Sequence, residues 1–213
     1  MRYRTASGPQ AEYEPGSRGR VLRNRLGVKQ ARMMARQEYE ALLRARAKYL
    51  GIITEQTRFT AAILCRMHKD WLGNLYEWAG QYRTVEVRKG GFAWPPAYLV
   101  EHHLRRLEEA QLRRCTPCRP GPLPHVARTM AEVHGELLLI HPFREGNGRL
   151  ARWLADLMAL QAARPMPDYG FTGRVSRARR RQYLEAVQRA YWREDDLLAA
   201  FFAESLVRGE RLA

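Results

Sequence analysis

The stretch that decides the fold is His141-Pro142-Phe143-Arg144-Glu145-Gly146-Asn147-Gly148-Arg149-Leu150-Ala151-Arg152. The apolar run Leu137-Leu138-Leu139-Ile140 leads into it, and an amphipathic segment, Trp153 to Ala163, leaves it. This pattern predicts a helix, a tight loop and a second helix, with the chemistry in the loop. Pro142 cannot continue a helix interior, so the first helix should stop near His141. Gly146 and Gly148 permit the backbone angles of an anion-cradling turn. The second helix then begins with unpaired N–H groups and the positive end of its dipole toward the loop, an arrangement suited to phosphate.

The side chains point the same way. Arg149 and Arg152 are three residues apart, so both can face the loop, and two guanidiniums suit a polyphosphate. Glu145 is a hard oxygen ligand of the kind that holds Mg²⁺ against phosphate oxygens. Asn147 can bond a phosphate or orient the turn. His141 is the group in the stretch able to take a proton near neutral pH. The set describes nucleotidyl or phosphoryl transfer to a hydroxyl.

His141 to Arg152 resembles the Fic family motif, HPF-x-(D/E)-GNGR-x-x-R, at every specified position. The resemblance implies AMP transfer from ATP to a Ser, Thr or Tyr hydroxyl of a target protein. It makes His141 the general base and Glu145 the Mg²⁺ ligand. Gly146, Asn147 and Gly148 would hold the α- and β-phosphates, Arg149 and Arg152 the outer ones, and Phe143 would anchor the loop in the core. Two alternatives stay open: a Fic-fold enzyme using another phosphate-containing donor, and a catalytically silent interaction module.

The surrounding chain predicts a mainly α fold, a single Fic-type helical domain with a small β-hairpin flap. Residues 1–27 are expected to form an arm wrapping the core, extended over residues 1–20, and 28–213 the domain itself. Lys29 to Leu50 reads as one helix. Thr54 to Leu75 reads as another, with Phe59, Ile63, Met67 and Trp71 recurring every fourth residue as a core stripe. His68 is expected near the edge of that stripe. Arg83 to Arg88 alternates as a strand does, Lys89-Gly90-Gly91 reads as a turn, and Phe92 to Trp94 as a return strand. In the family such a flap aligns a target segment by strand addition, which nominates Arg83, Lys89 and Phe92 to meet target or nucleotide.

His125 to Ile140 is the helix that delivers the motif, with His134 packed inside it. Tyr169, in the loop after the motif helices, and Tyr183, in a late helix capped by Ser176, are candidates to lie near the nucleotide. Cys115 and Cys118 form a CxxC without the further ligands of a zinc site, and are read as incidental.

A net charge of +15 could suggest a polyanionic partner. Lys stands only at positions 29, 48, 69 and 89, and the Arg are scattered, so the charge reads as compositional and no nucleic-acid partner is expected. No signal peptide or spanning segment is evident, which gives a cytoplasmic expectation without a membrane partner.

Fic proteins are commonly inhibited by a Glu in a (Ser/Thr)-x-x-x-Glu-(Gly/Asn) helix that pairs with the second motif arginine, here Arg152. No Glu of these 213 residues stands in that pattern. The resemblance therefore falls on the toxin half of a toxin–antitoxin pair, in which a small antitoxin supplies the Glu and type II topoisomerases are among the targets.

Overall fold

The computed structural model describes residues 8–212. The chain forms two compact units, one of Met1–Ile52, Ala61–Arg105 and Ile140–Leu150, the other of Ile53–Thr60, Arg106–Leu139 and Ala151–Ala213.

In the first unit α1 (Ala31–Leu50) buries Met34, Glu38, Ala41, Leu42, Ala45 and Tyr49, a stripe at helical spacing. It packs on α2 (Ala61–Leu72), whose Leu64, Met67, His68, Trp71 and Leu72 are buried. Each large apolar side chain so buried contributes about 1.5–3 kcal/mol. The Trp71 indole N–H donates to Glu38 O at 2.8 Å, and the Tyr49 hydroxyl to Asp70 at 3.0 Å. α2 is shorter than its sequence pattern, because residues 54–60 belong to the second unit and are not helical.

The arm expected over residues 1–27 falls partly outside the described residues, at 1–7. From residue 8 it is turned rather than extended. Tyr13 bridges Leu22, the Asn24 side chain binds both backbone groups of Val28, and the Arg25 N–H donates to Leu75 O at 2.9 Å. Gln10 closes it against the chain: its amide nitrogen donates to Tyr82 O, and its amide oxygen accepts from Thr84 N–H.

The hairpin is smaller than expected. Strands β1 (Arg88–Lys89) and β2 (Phe92–Ala93) pair antiparallel, Arg88 with Ala93 and Lys89 with Phe92. Gly90 and Gly91, at φ 52° and 81°, make the left-handed turn that such a pair needs. The expected strand from Arg83 keeps its alternation, with Arg83, Val85 and Val87 buried, but among the described residues it has no strand partner. Its donors go elsewhere, Arg83 N–H to Pro142 O and Thr84 N–H to the Gln10 side chain.

From Ala97 a short 3₁₀ turn opens α3 (Val100–Leu107), which continues through a π-helical turn, Glu108–Leu112, into α4 (Arg113–Cys115). α5 (Leu123–Ile140) buries Val126, Met130, Val133 and Leu137, the stripe expected of it. α6 (Asn147–Gln161) is more than amphipathic: Trp153 through Ala159 are all buried. A helix apolar around its circumference is a central one.

In the second unit α7 (Ser176–Ala190) packs on α8 (Asp196–Glu210). Ser176 is the first residue of α7 and makes no cap hydrogen bond, so the expected capping role is not realised. Burial pushes the Cys115 and Cys118 thiols up to about 11, so neither is a thiolate near neutral pH. Among the described residues no helix is long and apolar enough to cross a membrane.

Candidate active site

His141 ends α5 by taking a left-handed backbone, φ 52°, which a helix stop requires and a histidine tolerates better than most residues. The carbonyls left over at that helix end are gathered by Arg83. Its Nε donates to His141 O at 2.8 Å, one terminal nitrogen reaches Ile140 O at 3.4 Å and Pro95 O at 2.5 Å, and the other reaches Val85 O. The half-buried His141 ring lies 4.3 Å from the ring of Trp94, just past β2.

The loop is then pinned from inside. Phe143 is fully buried and stacks on His68 at 4.0 Å. His68 is itself buried, not at an edge as its place in the sequence suggests. Gly80 N–H donates to its Nδ1 at 2.8 Å, which leaves the proton on Nε2, donating to Glu145 O at 3.1 Å. Burial lowers His68 to about 4, so the ring is neutral when it does this.

Asn147 closes the turn upon itself: its side chain donates to Phe143 O at 2.7 Å and accepts Phe143 N–H at 2.9 Å. With both ends of its amide engaged and only 3% exposed, that side chain shapes the loop and does not face a phosphate, correcting the ligand role expected of it. Gly146 has φ 86°, and a Cβ there would stand 2.8 Å from the Trp71 ring, so backbone and packing both demand glycine. Gly148 needs no such freedom, since it is the second residue of α6. Its contribution is a backbone amide in the first helical turn, where N–H groups lack an intrahelical acceptor.

Arg149 is held from three sides. Its NH1 donates to Glu38 Oε2 at 2.6 Å, its NH2 lies 3.6 Å from Glu145 Oε1, and its guanidinium sits over the Trp71 ring at 4.7 Å. Glu38 in turn accepts the Tyr76 hydroxyl at 2.5 Å. The Glu145 side chain is 41% exposed, and its Oε1 accepts Gly146 N–H at 2.9 Å.

In the second unit Arg152 has a different setting. Its guanidinium lies 5.4 Å from the Phe171 ring and 5.6 Å from that of Tyr183, and NH1 reaches the Tyr183 hydroxyl at 3.4 Å. Behind that hydroxyl is His134 Nε2 at 2.9 Å. Burial first, and the Arg152 charge second, lower His134 to about 3, so it is a neutral core group as expected. Among the described residues no carboxylate pairs with Arg152.

Two site expectations change here. Arg83, at 1% exposure with its donors spent on carbonyls, faces neither target nor nucleotide. The Tyr169 hydroxyl donates to Asp156 Oδ1 at 2.7 Å, and its ring packs beside Phe171 and Phe201, so it braces α6 rather than offering a free group. Tyr183 is 6% exposed and touches Arg152 directly. Lys89 is exposed, and Phe92 is half-buried edge-on to Trp94. Sequence reasoning passed over Glu38, His68, Trp94 and Phe171. Glu38 and His68 carried a signal, each a polar residue inside an apolar stripe that has to find a buried partner.

The family model described as "Fic/DOC family" matches residues 58–159. Protein adenylyltransferase VbhT of Bartonella schoenbuchensis is 27% identical over 205 residues, which are 96% of this chain and 40% of that protein. The probable protein adenylyltransferase Fic of Salmonella typhimurium is 30% identical over 152 residues, covering 67% of this chain and 69% of its own length. The chain thus spans less than half the length of the first relative and about two thirds of the second. Among solved structures, BepC of Bartonella tribocorum with bound AMPPNP aligns at TM-score 0.73 and 20% identity, covering 92% of this chain and 96% of that one. The N-terminal Fic domain of an effector from Bartonella sp. AR 15-3 aligns at 0.77 and 16%, covering 100% and 98%. At these identities the structures speak to the fold, and the mainly helical architecture is the one they share. The matched segment contains the loop from His141 to Arg152, and with a relative 30% identical over 152 residues the chain belongs to the Fic/DOC family.

Proposed function

We propose that the chain is a protein adenylyltransferase, moving AMP from Mg·ATP to a hydroxyl of a target protein. The observation that carries this reading is the pairing of His141 with the hairpin: the ring of the one proton acceptor in the loop lies against Trp94, beside the strand that would align a target. His141 takes the proton of the target hydroxyl. The freed oxygen attacks the α-phosphorus of ATP, a P–O bond forms, and the bond from the α-phosphorus to the bridging oxygen breaks, releasing pyrophosphate. The amides of Gly146, Asn147 and Gly148 line the phosphates at the start of α6. Arg149 and Arg152 meet the outer phosphates, Arg152 with Tyr183 and Phe171 at its flanks. Lys89 and Phe92 meet the target along the hairpin.

Glu145 fits a divalent cation. It is a hard carboxylate, partly exposed, with one oxygen already oriented by Gly146 N–H. Among the described residues no three His, Cys, Asp or Glu gather as a metal cage. When bound, Mg²⁺ would offset phosphate charge at this carboxylate.

Regulation by a separate small antitoxin is part of the same reading. It is supported by Arg152, which lacks a carboxylate partner among the described residues, and by the absence of the inhibitory Glu pattern from these 213 residues. A type II topoisomerase is the target class that the family suggests, and a cytoplasmic setting goes with it.

The test uses ATP labelled in the α- or the γ-phosphate, with Mg²⁺ and a bacterial lysate. The α label should reach protein, the γ label should not, and His141→Ala should abolish transfer while keeping the melting temperature within a few degrees. Transfer of the γ label, or equal α transfer by the variant, sinks the reading.

A further inference from the structure

Arg149 stands between two carboxylates, and the two are unlike. Glu145 is 41% exposed and four residues away on the same segment, the spacing at which a helical pair readily closes. Glu38 comes from α1, 111 residues distant in the chain, and its side chain is only 10% exposed. Arg149 has chosen the distant one: 2.6 Å to Glu38 against 3.6 Å to Glu145.

Glu38 is itself immobilised. The Tyr76 hydroxyl donates to its Oε1 and the Trp71 indole N–H to its backbone carbonyl. The same Trp71 ring forms the floor under the Arg149 guanidinium and the wall against Gly146.

Packing alone does not keep Arg149 in place. A cavity of about 210 Å³ borders the pair, lined by Arg20, Leu22, Met34, Glu38, Tyr76 and Glu145 among others. Arg149 is 30% exposed beside it, so the guanidinium has room to turn once its anchor weakens. The nearest alternative acceptor is Glu145. A charge-assisted pair there would use the carboxylate that the proposed function reserves for a cation.

We infer that Glu38 is a positioning residue: by holding Arg149 over Trp71 it keeps that arginine at 3.6 Å from Glu145, short of a hydrogen bond, so that the Glu145 carboxylate can turn to the divalent cation. The inference rests on the adenylyltransferase reading for the identity of the bound species, but it concerns binding and not turnover.

The test is a titration of the full chain with Mn²⁺ in the presence of AMPPNP, following free Mn²⁺ by electron paramagnetic resonance. Glu38→Gln should raise the half-saturating Mn²⁺ concentration at least threefold. On an Arg149→Gln background, where no guanidinium can turn to Glu145, adding Glu38→Gln should leave Mn²⁺ affinity unchanged. Tyr76→Phe, which removes the hydroxyl that fixes Glu38, gives a smaller shift of the same sign. It also serves in place of Glu38→Gln if that variant melts early. Unchanged Mn²⁺ affinity in Glu38→Gln overturns the inference, as does an equal loss on the Arg149→Gln background. A wild type that binds Mn²⁺ with the expected variant pattern, yet transfers no AMP, overturns the catalytic reading alone. A wild type that binds no Mn²⁺ with AMPPNP overturns both.

Discussion

Arg149 and Arg152 lie three residues apart on one helix and carry the same charge, yet their surroundings are opposite. Arg149 is balanced by Glu38 and Glu145 and laid over Trp71. Arg152 has aromatic faces and a neutral hydroxyl. Each has a buried neutral histidine nearby, His68 for the first and His134 for the second, and each arginine charge helps to keep its histidine unprotonated. The difference teaches what each is built for. A compensated guanidinium is fixed in position before any ligand reaches it. An uncompensated one on neutral groups keeps its charge for an incoming anion.

The largest expected effect tests the two histidines together. His68 is lowered to about 4 and His134 to about 3, in both cases chiefly by burial. In the unfolded chain both return toward about 6.5. The unfolded state therefore binds protons first as pH falls, and the stability from keeping the rings neutral is whole above pH 6.5 and drains away toward pH 4. Each ring accounts for on the order of 3 kcal/mol over that window. Urea unfolding at pH 7.5, 6 and 5 should show the decline, and His68→Gln should reduce its slope by about half. A flat profile would mean that the rings are not buried neutral.

The next effect separates the arginines by activity. Arg152→Ala should lower kcat/KM for ATP about 100-fold, as loss of a single transition-state donor does. Its stability should change by less than about 1 kcal/mol, the worth of its contacts with the rings. Full activity in this variant would remove Arg152 from the phosphate site.

Arg149→Ala should cost stability as well as activity. It leaves the Glu38 carboxylate without its cation, and about 2 kcal/mol of unfolding free energy should go with it. Equal stability of the two alanine variants in urea would erase the contrast drawn here.

The smallest effect is Tyr183→Phe, which removes one hydrogen bond on each side of the hydroxyl. About 1 kcal/mol of stability and a loss of only a few-fold in kcat/KM are expected. A loss as large as that of Arg152→Ala would instead make the tyrosine hydroxyl a direct partner of the nucleotide.

The sequence was readable where the physics is local. α1 and α5 follow from apolar residues at helical spacing, the loop from Pro142 and Gly146, and the end of α5 from the same proline. It was unreadable where backbone groups are satisfied at a distance. Arg83 looked like a strand residue facing out, but it collects carbonyls from residues 85, 95, 140 and 141 that no periodicity announces. The 83–87 segment alternates in burial without pairing, because its donors are taken by Pro142 and by Gln10 far upstream. Asn147 sits in the motif and reads as a ligand, yet its amide serves Phe143 four residues back. Glu38 and His68 were visible only as polar interruptions of apolar stripes, and the stripe gives no hint of which partner each meets.

The left-handed backbone at His141 has an evolutionary consequence. A helix stop at that angle admits few side chains without strain, chiefly Gly, Asn, Asp and His. The imidazole therefore occupies a position whose tolerated neighbours in sequence space are nearly all unable to act as a base near neutral pH. One substitution, His141→Asn or His141→Gly, would leave the stop intact and the loop pinned by Phe143 and Asn147, while removing the proton acceptor. A lineage of this fold can thus fall silent in a single step and keep its shape, which makes the residue at this stop the first to inspect in any relative before activity is assigned to it.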